Sequence, residues 1–379
     1  MRGTIRMKIA GFGVEAWLNA HEREATTDIS QSSIAALTMA EIAALEDQQA
    51  PQDFYEELGA ARLDYGWIEG SPRFKELVSQ LYEQVPAANV LQTNGATGAN
   101  HLAIYSLVEP GDHVIALYPS YQQLYDIPKS LGATVDYWHI HESAGWLPDI
   151  MELQRLIRPE TKMILLNNAI NPTGSLLDRT LLEQVVTLAR SVGAYVLADE
   201  VYEPLDETPF VSIADLYERG IAVNSLSKTY SAPGIRIGWT ATPSQAIADI
   251  FRKYRDYTMI CGGVLNDQLA VRILAHRQRV LARNRELVSR NLKILTEWVA
   301  QEPRVELITP HGISVSCIKL IVPIDDETFC QQLLRDTGVL LVPGSRFDIP
   351  GHARLGYCTD TPTLQRGLDL LGQYLRRFD

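Results

Sequence analysis

Residues 225–239 have the sequence Ser-Leu-Ser-Lys-Thr-Tyr-Ser-Ala-Pro-Gly-Ile-Arg-Ile-Gly-Trp, which places Lys228 among small hydroxyl side chains in a loop with Pro and Gly. Arg236 follows in the same loop. This composition does not suit a packed core, but it suits a site for a phosphorylated aldehyde. The amine can form a Schiff base, and the hydroxyls and the arginine can bind the phosphate. The alternative interpretation is an exposed lysine in a surface turn.

Two apolar segments upstream of this loop end in polar residues. Residues 194–198 are apolar and β-prone, which predicts a buried parallel strand, and Asp199 follows them directly. Residues 163–166 have the same character and lead into an Asn-Pro-Thr-Gly turn that begins at Asn171. Open α/β sheets bind ligands at the carboxyl ends of their strands, so Asp199 is expected near a ligand. The alternatives are a solvated Asp-Glu pair and an ordinary turn.

A third motif lies further upstream and predicts a strand, a turn of small residues and the start of a helix. Gly95, Ala96 and Thr97 form the turn, where the free amides and the dipole of a helix N-terminus favour a dianion. Tyr121 follows the next apolar strand, at residues 113–117. A plain strand-to-helix connection would have the same sequence pattern.

Together these motifs resemble the class I and II aminotransferase family, which has fold type I and uses pyridoxal 5′-phosphate (PLP). The resemblance implies an α/β fold, with a mostly parallel sheet sandwiched by helices in a large domain and a small α+β domain beside it. It implies that Lys228 is the catalytic residue and binds the cofactor aldehyde. The other cofactor-binding residues that it implies are Gly95, Ala96, Thr97, Tyr121, Asn171, Asp199, Tyr202, Ser225, Ser227, Arg236 and Tyr65.

The resemblance also assigns roles to residues at both ends of the chain. Arg354 would bind the α-carboxylate of an amino acid substrate with its two-pronged guanidinium, and Asn171 would assist it. Tyr65 would reach the cofactor phosphate of a partner subunit, which implies a homodimer with shared sites. Each motif alone has a plain structural explanation, but their order from Tyr65 to Arg354 is the order of the family.

Composition agrees with a soluble enzyme. The 379 residues can bury a large core, and the net charge of −12 argues against generic nucleic-acid binding. There is no long apolar run to suggest a membrane span. The four cysteines are scattered without the spacing of metal ligands, so they are interpreted as reduced thiols of a cytoplasmic protein. Met7 is a possible alternative start.

The pattern of the chain predicts its organisation. Residues 1–45 are expected to pack on the small domain, residues 46–275 to form the large PLP-binding domain, and residues 276–379 to form the small C-terminal domain. A long helical stretch from about residue 263 to about residue 298 is predicted to link the large domain to the small one. Within it, the polar residues around Asn284 and Asn291 are interpreted as a solvated face.

The N-terminal segment resembles that of a narrower group. Its Val-Glu-Ala-Trp-Leu at residues 14–18 and Thr-Asp-Ile-Ser at residues 27–30 are similar to the PLP-dependent arginine cyclases that form capreomycidine and enduracididine. This resemblance implies a cyclodehydratase that acts on a hydroxylated L-arginine. Glu15, Asp28 and Ser30 are the candidates for binding the substrate guanidinium. Alternatively, Asp28 caps a local turn and Glu15 lies on a solvated helix face.

Three other functions stay open at this point. An ordinary aminotransferase is the most common activity among proteins with this set of motifs, and an arginine oxidase is a variant of the cyclase. A PLP-binding regulator or an inactive scaffold is disfavoured, because Lys228, Asp199, Asn171, Arg236 and Arg354 are all present. The residues alone do not separate cyclase from aminotransferase.

Overall fold

The computed structural model of this chain describes residues 9–46 and 51–378. The interpretation of Met7 as an alternative start concerns residues outside these ranges. Strands of the described residues are β1 (Thr27–Asp28), β2 (Val90–Asn94), β3 (His113–Tyr118), β4 (Thr134–His141), β5 (Leu147–Pro148), β6 (Thr161–Asn167), β7 (Tyr195–Asp199), β8 (Gly220–Ser225), β9 (Ile237–Ala241), β10 (Val305–Leu307), β11 (Ser316–Leu320), β12 (Val339–Leu340), β13 (Val342–Pro343) and β14 (His352–Leu355).

Helices flank these strands along the whole described chain. The α-helices are α1 (Gly13–His21), α2 (Met39–Ala43), α3 (Pro51–Ala60), α4 (Pro72–Ser79), α5 (Gly95–Leu107), α6 (Gln123–Ser130), α7 (Ile150–Leu156), α8 (Arg179–Val192), α9 (Ile213–Leu216), α10 (Gln245–Arg255), α11 (Val264–Ala275), α12 (Arg277–Val299), α13 (Asp326–Thr337) and α14 (Thr361–Leu375). Short 3₁₀ helices cover Glu22–Glu24, Ala87–Asn89, Glu142–Ala144, Pro233–Ile235, Gly344–Phe347 and Arg376–Phe378. In the part of the chain that is described, no helix has the length and apolar character needed to cross a membrane.

The large sheet has eight strands in the order β2-β9-β8-β7-β6-β3-β4-β5. Strands β8, β7, β6, β3 and β4 run parallel to one another, whereas β9 pairs antiparallel with β2 and β8, and β5 pairs antiparallel with β4. The predicted fold is therefore confirmed: an α/β protein with a mostly parallel sheet. Because parallel strands end at the same edge, the polar residues that follow β6, β7 and β8 are brought together there.

Alternating side chains of the central strands enter cores on the two faces of the sheet. In β6, Ile164 and Leu166 belong to the cluster that includes α8, and Met163 and Leu165 belong to the cluster that includes α5. All four are fully buried, and burying a side chain of this size contributes about 1.5–3 kcal/mol. Burial on both faces explains why the strand sequence is uniformly apolar.

The crossover helix α8 has clear local signals. Asp178 caps its N-terminus by accepting from the Leu181 amide at 2.8 Å, and Gly193 ends it in the left-handed conformation. Its buried residues follow the helical period toward the sheet: Leu182, Val185, Val186 and Ala189. This helix connects β6 to β7 and so fixes where Asn171 and Asp199 lie relative to each other.

A second, antiparallel sheet has the order β10-β11-β14-β13 and carries Arg354 opposite Cys317. The N-terminal segment lies against the C-terminal part of the chain, because β1 pairs with β12 and the Trp17 indole donates to the Leu341 carbonyl at 2.9 Å. That residues 1–45 as a whole pack on a small domain stays a prediction. The exact domain boundaries stay a prediction.

The predicted helical stretch forms as α11 and α12, but one detail of its interpretation is wrong. The helix is divided at His276, whose backbone (φ −108°, ψ 24°) leaves the helical region, although neither Pro nor Gly marks the position. The polar face is not solvated at Asn284 and Asn291, which are fully buried. Asn284 donates to the Thr229 carbonyl in the lysine loop, and Asn291 donates to the Tyr357 and Thr359 carbonyls, each at 2.8 Å.

Glu200 provides a test of the packing behind the sheet edge. Its Oε1 accepts from the Ile213 amide at 2.8 Å, and its Oε2 has no hydrogen-bond partner among the described residues. Burial raises the pKa of this carboxyl well above its usual range, so the folded protein holds it neutral. A raised folded-state pKa gives stability that is complete below the unfolded-state pKa and is lost as the pH rises through the folded-state pKa.

We therefore expect Glu200→Gln, which keeps an acceptor for the Ile213 amide and cannot ionise, to flatten the pH dependence of stability. As the pH rises above the ordinary glutamate pKa of about 4.5, the wild-type free energy of unfolding, measured by urea denaturation, should fall relative to that of the variant by roughly 1.4 kcal/mol for each pH unit until the folded-state pKa is reached. The control is Glu207→Gln, at an exposed position, which should follow the wild type. Parallel curves for Glu200→Gln and wild type would contradict this account.

Candidate active site

A cavity of about 500 Å³ lies at the carboxyl edge of the large sheet. Asn167 ends β6, Asp199 ends β7 and Ser225 ends β8, and all three line the cavity. Of the predicted residues, it is also lined by Glu15, Ala96, Thr97, Tyr121, Asn171, Tyr202, Ser227, Lys228, Arg236 and Arg354. Residues distant in sequence thus meet at one place, as the motif order predicts.

Lys228 lies in the turn that follows β8, with its amine inside the cavity. The amine donates to the Ser32 hydroxyl at 2.6 Å. Burial, and next the charge of Arg354, lowers the pKa of Lys228 to about 8. A larger share of the amine is therefore neutral at physiological pH, and the neutral amine is the form that attacks a carbonyl.

Asp199 is 2 % exposed and receives two hydrogen bonds. The Asn100 amide donates to Oδ2 at 2.6 Å, and the Val201 backbone amide donates to Oδ1 at 3.3 Å. Burial raises the pKa of Asp199 to about 6. A cationic partner such as a pyridinium nitrogen would stabilise its ionised form. Asn100, which sequence reasoning did not select, lies on α5 and holds this carboxylate in place.

The predicted phosphate site combines a helix N-terminus with an arginine. Helix α5 begins at Gly95 directly after β2, and its N-cap Asn94 makes no side-chain capping bond. Gly95 has φ +67°, and a Cβ placed on it would lie 2.5 Å from Nη2 of Arg236. The glycine therefore lets the guanidinium approach the amides of the turn.

Arg354 is 2 % exposed and is held ready for an anion. Its Nη2 donates to the Ser30 carbonyl at 3.0 Å, and its Nη1 donates to Oδ1 of Asn171 at 3.4 Å. Its Nε has no hydrogen-bond partner within residues 9–46 and 51–378. A buried guanidinium with a free donor fits the predicted binding of a substrate carboxylate.

Two tyrosines complete the cavity near Lys228. The Tyr202 ring centroid lies 5.9 Å from the Lys228 amine. Burial raises the pKa of Tyr202 to about 12, so it stays protonated. Tyr121 contacts Phe12, with 5.4 Å between ring centroids. Ser32, whose hydroxyl accepts from the Lys228 amine, was marked by no motif in the sequence.

The three N-terminal candidates have different positions. Glu15 lines the cavity. The Asp28 carboxylate closes a local turn: it accepts from the Ser30 amide at 2.8 Å, the Ser30 hydroxyl at 2.7 Å and the Gln31 side chain at 2.7 Å. Neither Asp28 nor Ser30 is part of the cavity lining. The geometry does not support a guanidinium clamp by these two side chains, because they hydrogen-bond each other, and Ser30 acts through its carbonyl on Arg354.

Tyr65 does not line the cavity of its own chain. It is 70 % exposed and precedes Gly66, at which an added Cβ would lie 2.9 Å from Val264. Its predicted role at the site of a second subunit stays a prediction.

The residues present fit PLP. Lys228 offers the amine for the aldehyde, Asp199 offers a buried carboxylate for the ring nitrogen, and Gly95 leaves the space beside Arg236 that an anionic group requires. Ser225 and Ser227 add hydroxyls on the same wall. When bound, PLP supplies an electrophilic carbon for the substrate amine and a ring that takes up electrons from a breaking bond at Cα.

The glycine in the phosphate turn gives a direct prediction. We expect Gly95→Ala to weaken PLP binding about tenfold or more, because a Cβ displaces Arg236 and strains a positive φ. Fluorescence titration of the apoenzyme with PLP measures the affinity. Gly98→Ala is the matched control in the same helix: its nearest contact is 3.5 Å from Asn94, so affinity should stay within about twofold. Equal affinities for the two variants would refute the close approach.

The chain is similar to known proteins, including PLP-dependent enzymes. A capreomycidine synthase from Streptomyces vinaceus is 27% identical over 370 residues, 96% of this chain and 93% of that protein. The crystal structure of a PLP-dependent aminotransferase from Streptococcus suis 89-1591 is 57% identical, with a TM-score of 0.96 over 98% of this chain and 99% of that chain. The structure of the PLP-dependent cyclase OrfR is 25% identical, with a TM-score of 0.85 over the full length of both chains.

The family model for aminotransferase class I and II matches residues 34–371. This range includes the lysine loop, the phosphate turn and the arginine strand β14. The solved relatives and the donor set at the sheet edge identify the cofactor as PLP. The chain therefore belongs to the class I and II aminotransferase family and is a PLP-dependent enzyme.

Proposed function

We propose that this enzyme is a cyclodehydratase that converts a hydroxylated L-arginine into a cyclic guanidine amino acid of the enduracididine or capreomycidine type. The observation that carries the proposal is the charge distribution of the cavity. Arg354 provides a cation for the α-carboxylate, and Glu15 on α1 provides an anion for a cationic side chain. The Glu15 carboxylate has no hydrogen bond or salt bridge to another described residue, so it is available to a ligand.

The other charged group on this wall does not offset Glu15. Arg346 lines the cavity, but its Nη2 donates to Glu327 at 2.5 Å, which satisfies its charge locally. The charge of Glu15 acts on both Lys228 and Arg354, as expected for a carboxylate that faces the same space. A substrate with a carboxylate at one end and a guanidinium at the other matches this arrangement.

The relatives support the proposal. Capreomycidine synthase aligns with 96% of this chain, and OrfR aligns with all of it, including the N-terminal segment that carries Glu15. The family model begins only at residue 34.

Each side chain of the cavity has a separate role in this reaction. Arg354 and Asn171 hold the substrate carboxylate, and Glu15 holds the guanidinium, which together orient the Cα proton. The lowered pKa suits the Lys228 amine to accept this proton at neutral pH, and Asp199 stabilises positive charge at the ring nitrogen. Ser32, within 2.6 Å of the Lys228 amine, fixes its direction.

The net reaction is loss of water and ring closure. The bond from carbon to the substrate hydroxyl breaks, and a guanidine nitrogen bonds to carbon in its place. The proton that this nitrogen loses combines with the departing hydroxide as water, and every proton removed from carbon during the reaction is returned to carbon. A hydroxyl on Cβ leaves after one deprotonation, whereas a hydroxyl on Cγ requires a second proton loss at Cβ. No keto acid takes part.

An aminotransferase is the second candidate. The solved relative from Streptococcus suis, 57% identical, is described as a PLP-dependent aminotransferase. The same Lys228, Asp199 and Arg354 would serve this reaction, with a keto acid as acceptor of the amine. The requirement for the keto acid separates the two functions.

Mass spectrometry of reactions without any keto acid tests the proposal. We expect β- or γ-hydroxyarginine to lose one water with the α-amine retained. We further expect Glu15→Gln to raise KM for that substrate about tenfold or more, because the guanidinium loses its partner, while kcat changes less. Turnover only after addition of a keto acid, with exchange of the amine, would instead establish the aminotransferase.

Glu22→Gln is the matched control for Glu15. It removes a carboxylate from the same N-terminal segment at an exposed position outside the cavity. A KM that rises equally in both variants would assign the effect to long-range charge rather than to contact with the substrate.

We also propose that the enzyme is a cytoplasmic homodimer in which Tyr65 contacts the site of the partner. An apolar exposed surface supports the dimer: Leu63 is 79 %, Tyr65 70 %, Trp67 60 % and Ile260 50 % exposed. Apolar surface of this extent favours cover by a second chain. All four cysteines are free thiols, consistent with a reducing compartment.

Mixed dimers test the role of Tyr65. Tyr65→Ala and Lys228→Ala should each be nearly inactive alone. After subunits are exchanged in a mixture, the hybrid has one site with both Lys228 and the partner's Tyr65, so activity should return to about a quarter or less of wild type. No recovery would show that both residues act in the same chain.

A further inference from the structure

We infer that Gln122 is a positioning residue that caps α1 across the cavity and thereby holds Glu15 where the cationic end of the substrate binds. The second half of this inference rests on the proposed function, and the first half does not. Gln122 lies in the loop between β3 and α6 and lines the cavity beside Tyr121.

The side-chain amide of Gln122 binds the backbone at the start of α1 at two points. Its Oε1 accepts from the Gly13 amide at 2.8 Å, and its Nε2 donates to the Gly11 carbonyl at 2.9 Å. Nε2 also donates to Oδ2 of Asp126 at 2.6 Å, which fixes the orientation of the amide. One planar group therefore supplies a donor and an acceptor to the same turn of backbone.

Helix α1 needs this cap because it has none of its own. The first amides of a helix lack partners within the helix. The N-cap residue is Phe12, which makes no side-chain capping bond, so Gln122 replaces the usual local Ser, Thr, Asp or Asn. The capping group comes from a residue 109 positions away, so the cap exists only in the folded protein.

The capped end of α1 is the end that covers the cavity. Phe12, Glu15 and Leu18 recur at every third position and line the cavity together. The opposite side of the helix is fixed separately, by the Trp17 indole on the Leu341 carbonyl at 2.9 Å. Trp17 fixes the middle of the helix, and Gln122 fixes its first turn, where Glu15 is located.

Gln122 also links this helix to the cofactor region. It directly follows Tyr121, which lines the cavity and contacts Phe12 at 5.4 Å between ring centroids. The rigid carboxyl end of β3 thus sets the position of both the aromatic wall and the first turn of α1. A displacement of the first turn of α1 would therefore move Glu15 while Lys228, Asp199 and Arg354 stay in place.

Hydrogen exchange of the holoenzyme tests the cap without any substrate. In Gln122→Ala, peptides that cover residues 9–21 should lose protection about fivefold to tenfold, because the first-turn amides of α1 lose their cap. Gln122→Glu keeps the acceptor for the Gly13 amide and loses the donor to Gly11, so it should recover part of the protection. Unchanged exchange in Gln122→Ala overturns the inference.

Gln245→Ala is the matched control. Gln245 likewise donates from Nε2 to a carboxylate four residues on, Asp249, at 2.8 Å, but it lies at the exposed start of α10. Its removal should leave the exchange of residues 9–21 and the kinetics unchanged. A similar loss of protection in Gln245→Ala would mean that the effect is not specific to the cap, and would overturn the inference.

Kinetics then tests the positioning of Glu15. Gln122→Ala should raise KM for the hydroxyarginine substrate about threefold to tenfold with kcat within about twofold, and the absorption spectrum of bound PLP should not change. Increased exchange with an unchanged KM would overturn the positioning role. Increased exchange in an enzyme that turns over only with a keto acid would overturn the proposed function and leave the cap supported.

Discussion

The buried Lys228 amine, set close enough to Arg354 and Asp199 for their charges to act on its pKa, is the constraint on which the rest of the site depends. Burying three ionisable groups in one cavity costs free energy unless each group is hydrogen-bonded or paired with an opposite charge. Each charged group is hydrogen-bonded by a neutral neighbour. Ser32 binds the lysine, Asn100 binds the aspartate, and Asn171 and the Ser30 carbonyl bind the arginine. These neutral groups orient the charges without neutralising them, so the charges remain available to a cofactor and a substrate.

The site combines three parts of the chain, and each part holds the others in place. The large sheet supplies Lys228 and Asp199 at its carboxyl edge, β14 supplies Arg354, and the N-terminal segment supplies Ser32 and Glu15. Hydrogen bonds connect these parts, from Arg354 to Ser30, from Lys228 to Ser32 and from Gln122 to the backbone of α1. The chemistry common to the family is located in the sheet, whereas the cationic side chain of the proposed substrate would be bound by the N-terminal helix.

The resemblance to the family implied the cofactor residues, and those at the sheet edge, such as Asp199 and Ser225, end a strand with a strong local signal. Uniformly apolar strands predicted the parallel sheet, and the polar residue after each strand was then placed at one edge by topology alone. Asn100, Ser32 and Gln122 were not predictable in this way. Each acts through a contact with a residue more than 90 positions away, and none occupies a position that a local pattern marks.

The amino-acid sequence by itself determined the α/β class, because this follows from periodicity and turn chemistry, and it indicated the family and the cofactor through the resemblance of its motifs to those of class I and II aminotransferases. Only the tertiary structure decided which of the N-terminal acids faces the cavity. Asp28 and Glu15 are equivalent as isolated carboxylates, but Asp28 is used by the hydrogen bonds of its own turn, whereas Glu15 lies on the face of α1 that the Gln122 cap directs into the cavity. The tertiary structure also decided the positions of Asn284 and Asn291. Their polarity predicted exposure to solvent, but both are buried, because their side-chain amides donate hydrogen bonds to backbone carbonyls of two other segments.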